Sequence, residues 1–122
     1  MPALLTAVVI TCAAMKGAEQ PKVCTVNIYH GAYVEPAACR QTAIEMARYF
    51  EQAIVNDGRM TDTGSYGECT PAAVDAEVVS YLPKFIGERF GATSFDVTHY
   101  DLVNGEAIER AKTKPPVKGA RI

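Results

Sequence analysis

Two stretches of the sequence combine a cysteine with the start of a helix, and together they restrict how the chain can fold. The first reads GAYVEPAAC from Gly31, and the second reads GSYGECTPAAV from Gly64. In the first, Cys39 follows Pro-Ala-Ala, whereas in the second Cys69 precedes it. Proline suits the first turn of a helix, where its missing N–H costs nothing. Both stretches therefore predict helix entrances, and a short internal repeat is the alternative interpretation.

Apolar periodicity predicts the elements around these entrances. Residues 22–30 and 92–102 alternate between apolar and polar side chains, as half-buried strands do. An apolar stripe at three- and four-residue spacing predicts a helix over 36–57, and a second stripe predicts one over 71–90 with Thr70 as its N-cap. Between the helices, only a short strand over 65–69 is predicted.

The order of these elements indicates a mixed fold. The chain has 122 residues, of which 48% are hydrophobic and 21% charged, as expected for one globular domain. We predict a small β-α-(β)-α-β domain over residues 19–104, in which two helices pack on a two- to three-stranded sheet. The class is α/β, or α+β if the middle strand is only a loop.

The predicted topology selects one pair of cysteines. If the first strand, the first helix and the middle strand form a right-handed parallel unit, Cys39 and Cys69 lie at the same sheet edge. Cys24, at the start of the first strand, then lies about 17–20 Å away, at ~3.3 Å per residue. We predict a Cys39–Cys69 disulfide with Cys24 buried in the core. The alternatives are a Cys24–Cys69 bond in an antiparallel sheet and a reactive Cys39 thiol at a helix N-terminus.

The N-terminal region contains an uncharged run of 13 residues from Ala3 to Met15. That is too short to cross a bilayer as a helix, which takes about 20 residues, but it matches the apolar part of a secretory signal. We therefore predict a signal peptide over residues 1–18 and an exported, periplasmic or secreted protein of bacterial or phage envelope type. No Lys or Arg precedes the run, and the alternative is a buried strand or helix of the folded domain.

The C-terminal region, residues 105–122, is predicted to be a basic, proline-containing tail. Its positive residues could contact an envelope protein or an anionic surface; they are Arg110, Lys112, Lys114, Lys118 and Arg121. The net charge of −2 and the acidic body argue against a nucleic-acid-binding domain, which usually presents a basic folded face.

Two further groups of residues are candidates for chemistry or binding. His30 and His99 each end an alternating strand, so parallel neighbouring strands would bring them together near Asp101, as a partial set of metal ligands. In the two helix entrances, Tyr33 corresponds to Tyr66 and Glu35 to Glu68, and these four residues form a candidate binding patch.

These features favour binding over catalysis. The sequence contains no Gly-x-Ser-x-Gly, no His-Glu-x-x-His and no phosphate loop, and we predict no cofactor. We predict a disulfide-stabilised binding or structural domain. One alternative is a thiol- or metal-dependent enzyme that uses Cys39 or the histidines. The other is an intracellular interaction or inhibitor protein with its N-terminal segment folded into the domain.

Overall fold

In a computed structural model of the protein, the described residues form five strands and two helices around one sheet. The structure describes residues 5–15, 22–33, 35–71, 75–103 and 106–113. The elements follow one another along the chain as β1 (Leu5–Met15), β2 (Val23–Tyr33), α1 (Pro36–Asp57), β3 (Met60–Pro71), α2 (Asp75–Phe90), β4 (Ser94–Val103) and β5 (Glu106–Thr113). The fold is mixed, as predicted, but its sheet has five strands, more than the two or three expected.

The strand order in the sheet is β3-β1-β2-β4-β5. β1 pairs antiparallel with both β2 and β3, β2 pairs parallel with β4, and β4 pairs antiparallel with β5. β2, β3 and β4 therefore run in the same direction, and their carboxyl ends meet at one edge of the sheet. β2 and β3 are parallel, as the predicted unit requires, but β1 lies between them.

The segment predicted as a signal peptide contains the strand β1, which lies between β3 and β2 in the sheet. Its side chains from Thr6 to Ala13 are at most 5% exposed. It lacks polar alternation because both of its faces are covered, and such strands appear in sequence as continuous apolar runs. The structure thus has the buried strand that the sequence left as an alternative, and the folded domain begins before residue 19.

The helices lie on opposite faces of the sheet. Cys39, Ala43 and Ala47 of α1 pack with Ala7, Val9 and Tyr29 on one face. Leu82 and Ile86 of α2 pack on the other face, against side chains of three strands, among them Val8, Ile10, Val26, Ile28 and Val97. Because the two apolar stripes fall on opposite faces, the sheet has a core on each side. No helix among the described residues is long and apolar enough to span a membrane.

The helix ends agree with the sequence for α1 and differ for α2. α1 begins at Pro36 and ends before Gly58, whose φ of 80° is left-handed and whose N–H donates to the Val55 carbonyl. Thr70 and Pro71 belong to β3, so Thr70 is not the N-cap of α2, which is described from Asp75 onward. α2 continues through Pro83 as one helix.

The predicted tail also differs from the structure in part. Residues Glu106–Thr113 form β5, which extends the sheet beyond β4. Arg110 and Lys112 therefore lie on an edge strand of the domain. Lys114, Lys118 and Arg121 lie outside the described residues, so the predicted tail surface is only partly described.

All four cysteines are bonded. Cys39 and Cys69 are joined, with their Cα atoms 5.8 Å apart, which is the pair selected by the parallel arrangement of β2 and β3. Cys12 is joined to Cys24, directly opposite it on β2. Cys24 is buried, as expected, but it has a partner that the sequence interpretation had assigned to a removed segment.

Candidate functional site: an aromatic and arginine patch beside an edge strand

Strand β3 carries Tyr66 and Glu68 to the α2 face of the sheet. In the antiparallel ladder, Tyr66 is opposite Ile10 and Glu68 is opposite Val8. Ile10 and Val8 belong to the core beneath α2, and opposite residues in a ladder point to the same face. Since β3 is the outermost strand, Tyr66 and Glu68 lie at the rim of that core.

The rim of α2 faces these two residues. Tyr81, Phe85 and Arg89 are four residues apart, so they share one side of the helix. The adjacent stripe, Leu82 and Ile86, is at most 1% exposed and fills the core. The aliphatic residues of α2 therefore pack in the core. Its stripe of aromatic residues and arginine lies at the edge of the sheet, beside β3.

The side chains of β3 and α2 meet in a cluster that we call the Tyr66 patch. It consists of Tyr66, Tyr81, Phe85, Arg89 and Phe90. The Phe85 ring lies at its centre, with ring centroids 4.8 Å from Tyr66, 5.7 Å from Tyr81 and 6.3 Å from Phe90. The Arg89 guanidinium carbon lies 4.9 Å from the centroid of the Tyr66 ring, within the range of a cation–π contact. The four rings are half-buried and Arg89 is exposed.

A hydrogen bond links the patch to Glu68. The Tyr81 hydroxyl donates to Glu68 Oε1 at 2.7 Å. Burial raises the pKa of Tyr81 far above its ordinary value, and the bond to Glu68 and the Glu68 charge add to that effect. Burial followed by the Glu68 charge also raises the pKa of Tyr66, against the opposing charges of Arg89 and Arg40. Both phenols are therefore neutral hydrogen-bond donors at physiological pH.

Two of the four residues of the predicted binding patch are brought together by β3, and the other two lie at the start of α1 and the end of β2. Tyr66 and Glu68 lie together at the patch. Glu35 is exposed at the N-cap position of α1 and makes no side-chain cap bond. Tyr33 is opposite Leu5 in the ladder between β1 and β2, and its side chain lies outside the described part of the structure.

The histidines of β2 and β4 meet in the core, as expected for parallel neighbours. His30 Nε2 lies 2.8 Å from His99 Nδ1, and the two side chains are 9% and 7% exposed. One of the two nitrogens donates the hydrogen and the other accepts it. Asp101 is the ladder partner of His30. Within the described ranges, no group of three His, Cys, Asp or Glu side chains is placed to hold a metal ion, and a metal site at His30, His99 and Asp101 stays a prediction.

The sequence did not predict the α2 residues of the patch as site residues. The apolar stripe that predicts the second helix over 71–90 includes Phe85 and Phe90. The i, i+4 spacing of Tyr81, Phe85 and Arg89 is the sequence signal that places these three on one side of the helix. Which strand would face that stripe depends on the insertion of β1 between β2 and β3. Nothing in the sequence of α2 contains that information.

No protein-family model, no curated protein and no solved structure matches this chain at a significant level.

Proposed function

We propose that the protein is a small disulfide-stabilised binding domain that contacts a partner protein through the Tyr66 patch. The observation that carries the proposal is the half-buried cluster of four aromatic rings with an exposed arginine at the rim of the sheet. Tyrosine and arginine are enriched among the residues that dominate binding energy at interfaces. Rings that are already packed together lose little conformational entropy on binding.

The rigidity of the site supports the same function. Tyr81 is held by Glu68, and Tyr66 stands on a strand that is joined to α1 by the Cys39–Cys69 bond. A thiol-dependent activity has no support in this structure because Cys39 is bonded. Binding by a preorganised surface needs no free thiol and no cofactor.

We further propose that the protein works in an oxidising compartment outside the cytoplasm. Two disulfides in a small domain support export, because such bonds persist in oxidising surroundings. Cleavage after residue 18 would remove β1 and Cys12, so in this proposal the working protein keeps Leu5–Met15. Contact of the basic C-terminal residues with an anionic surface remains part of the proposal, with Arg110 and Lys112 on β5.

Site-specific photo-crosslinking in cells that produce the full chain tests the binding surface. A benzophenone amino acid replaces Glu88, which is exposed on α2 and three positions from Phe85. The matched control replaces Tyr49, which is 71% exposed on α1. We expect a discrete adduct at position 88, identified by mass spectrometry as one protein, and none at position 49. Equal adducts at both positions, or none at position 88, would overturn the proposal.

A second candidate is the intracellular interaction or inhibitor protein. One observation favours it: the N-terminal segment is folded into the domain as β1. Acid quenching of the cells, alkylation under denaturing conditions and intact mass measurement separate the two candidates, because buried thiols would not react in the folded chain. Four alkylated cysteines would favour the intracellular protein, and an unmodified chain would favour the exported one.

A further inference from the structure

Within the described part of the chain, β3 is an edge strand, and most of its length has none of the usual sequence features that prevent the addition of a strand. It is 12 residues long, and its paired neighbour in the sheet is β1. Edges are commonly blocked by lysine, by proline or by a bulge. In β3 the irregularity is confined to the start, where the register shifts near Thr61 and Asp62 has a φ of 52°. From Gly64 to Thr70 the ladder with β1 is regular, and this stretch contains neither lysine nor proline.

Helix α1 brings a second set of residues to this edge. A Cβ on Gly67 would lie 2.6 Å from the backbone nitrogen of Ile44, so α1 and β3 approach each other closely there. On the outer side of α1, a shallow groove of about 360 Å³ is lined by Ala37, Arg40, Gln41, Ile44, Glu45 and Arg48. The edge of β3 therefore has an arginine-bearing groove near its α1 face and the Tyr66 patch on its α2 face.

An arginine lies beside this edge on each face, together with one glutamate that is bonded to a neighbouring hydroxyl. Arg89 lies over the Tyr66 ring on the α2 face, and Arg40 is exposed on α1. The charges of both arginines act on the Tyr66 phenol. The two glutamates are already engaged: Glu68 accepts the Tyr81 hydrogen bond on the α2 face, and Glu51 of α1 accepts one from Ser65 at 2.7 Å. An added strand points successive side chains to alternate faces, so its acidic residues would meet an arginine on either face.

From this edge and these charges, and building on the proposed function, we propose that the partner contributes an extended acidic segment that pairs with β3 over Gly64–Thr70 as a sixth strand. Main-chain hydrogen bonds to the free edge provide affinity in such complexes, and side-chain pockets provide specificity. The Tyr66 patch receives the segment's apolar side chains, and Arg40 and Arg89 receive its carboxylates. A second copy of this chain fits less well. Antiparallel pairing of two β3 strands would put both Arg89 side chains on the same face of the joined sheet, and their like charges would repel each other.

A random peptide library tests this partner class without knowledge of the natural partner. Phage-displayed 12-residue peptides are selected on the oxidised full chain, and the enriched peptides are synthesised. We expect enrichment of Asp and Glu, and at least tenfold slower amide exchange in Gly64–Thr70 when a selected peptide is bound. Arg89→Gln and Arg40→Gln should each weaken binding about fivefold or more. The control Arg59→Gln removes the same charge from the turn before β3, where Arg59 pairs with Asp57, and should change binding less than twofold.

The other outcomes overturn the acidic-strand proposal. They are the absence of any selected peptide, selection of neutral or basic peptides, and binding that leaves the β3 amides unprotected. Protection of Gly64–Thr70 in the peptide-free chain, together with a dimeric mass by light scattering, would identify a second copy as the occupant. In each case a partner adduct at position 88 would still support the binding surface, so failure of the two proposals can be told apart.

Discussion

At the scale of single residues, Gly67 shows how closely α1 packs on the edge strand. A Cβ at this position would lie too close to the backbone of Ala43 and Ile44, which cannot yield as a flexible side chain can. We expect Gly67→Ala to destabilise the protein by about 2 kcal/mol, because overpacking at such a contact costs 1–3 kcal/mol. Urea unfolding of the oxidised protein measures the loss.

Gly87 provides the matched control. It lies exposed within α2, and a Cβ there would meet nothing within 4 Å. Gly87→Ala should stabilise the protein by about 0.5–1 kcal/mol, since alanine is the better helix former. If both substitutions had the same sign, the close approach of α1 and β3 would be wrong.

The Tyr81–Glu68 bond predicts a loss of stability at high pH. The pKa of Tyr81 is raised in the folded state, first by burial and then by Glu68. A group with a raised folded pKa stabilises the fold below its unfolded pKa, about 10 for tyrosine, and that stability is lost as the pH rises further. We expect the free energy of unfolding to fall more steeply between pH 10 and 11 in the wild type than in Tyr81→Phe. Parallel curves would exclude the buried phenol.

At the scale of elements, the sequence predicted most where a helix or strand has one buried face. The stripe over 36–57, with Pro36 at its start and Gly58 at its end, describes α1 fully, and alternation found β2 and β4. The sequence interpretation failed for β1, because a strand covered on both faces does not alternate between apolar and polar residues. Such a strand resembles the apolar part of a signal peptide. The interpretation also failed for β5, whose sequence EAIERAKT shows no clear period of two.

β1 leads to a direct test of the N-terminal processing prediction. Val8, Val9 and Ile10 are fully buried, and three such side chains contribute about 5–9 kcal/mol. That approaches the whole stability of a typical domain, about 5–15 kcal/mol. We expect a chain that starts at residue 19 to lose cooperative thermal unfolding by circular dichroism.

Removal of residues 2–4 is the control, because it leaves β1 whole and should preserve the unfolding transition. If the intact mass of the natural, folded protein matched a chain that starts near residue 15 or 19, the expectation that the fold requires β1 would be wrong. That mass would show that a cleaved signal peptide occupies this segment.

At the scale of the whole molecule, part of the candidate site was within reach of the sequence. Tyr66 and Glu68 were candidates because they occupy matching positions in the two similar stretches that start at Gly31 and Gly64. The same stretches predicted the disulfide between Cys39 and Cys69. The remainder of the patch required the strand order. Because β1 lies between β2 and β3, β3 is an edge strand of the described sheet. Only in this order does the contact of Tyr66 with Arg89 lie beside the outer edge of β3. Such long-range order arises from the packing of two cores and leaves no local pattern.

The two disulfides connect the fold to its compartment and predict how far stability depends on oxidation. Cys39–Cys69 has a sequence separation of 30 and Cys12–Cys24 one of 12. Loop-closure entropy then gives about 3.5 kcal/mol for the first bond and about 3 kcal/mol for the second. We expect the free energy of unfolding, measured in urea, to fall by about these amounts in the double variants Cys39→Ala/Cys69→Ala and Cys12→Ala/Cys24→Ala.

Full reduction of the wild type should lower the free energy of unfolding more than either double variant does. It should bring the domain near its unfolding threshold at 37 °C. A reduced protein within about 1 kcal/mol of the oxidised one would instead show that the fold stands without its bonds, as an intracellular interaction protein requires.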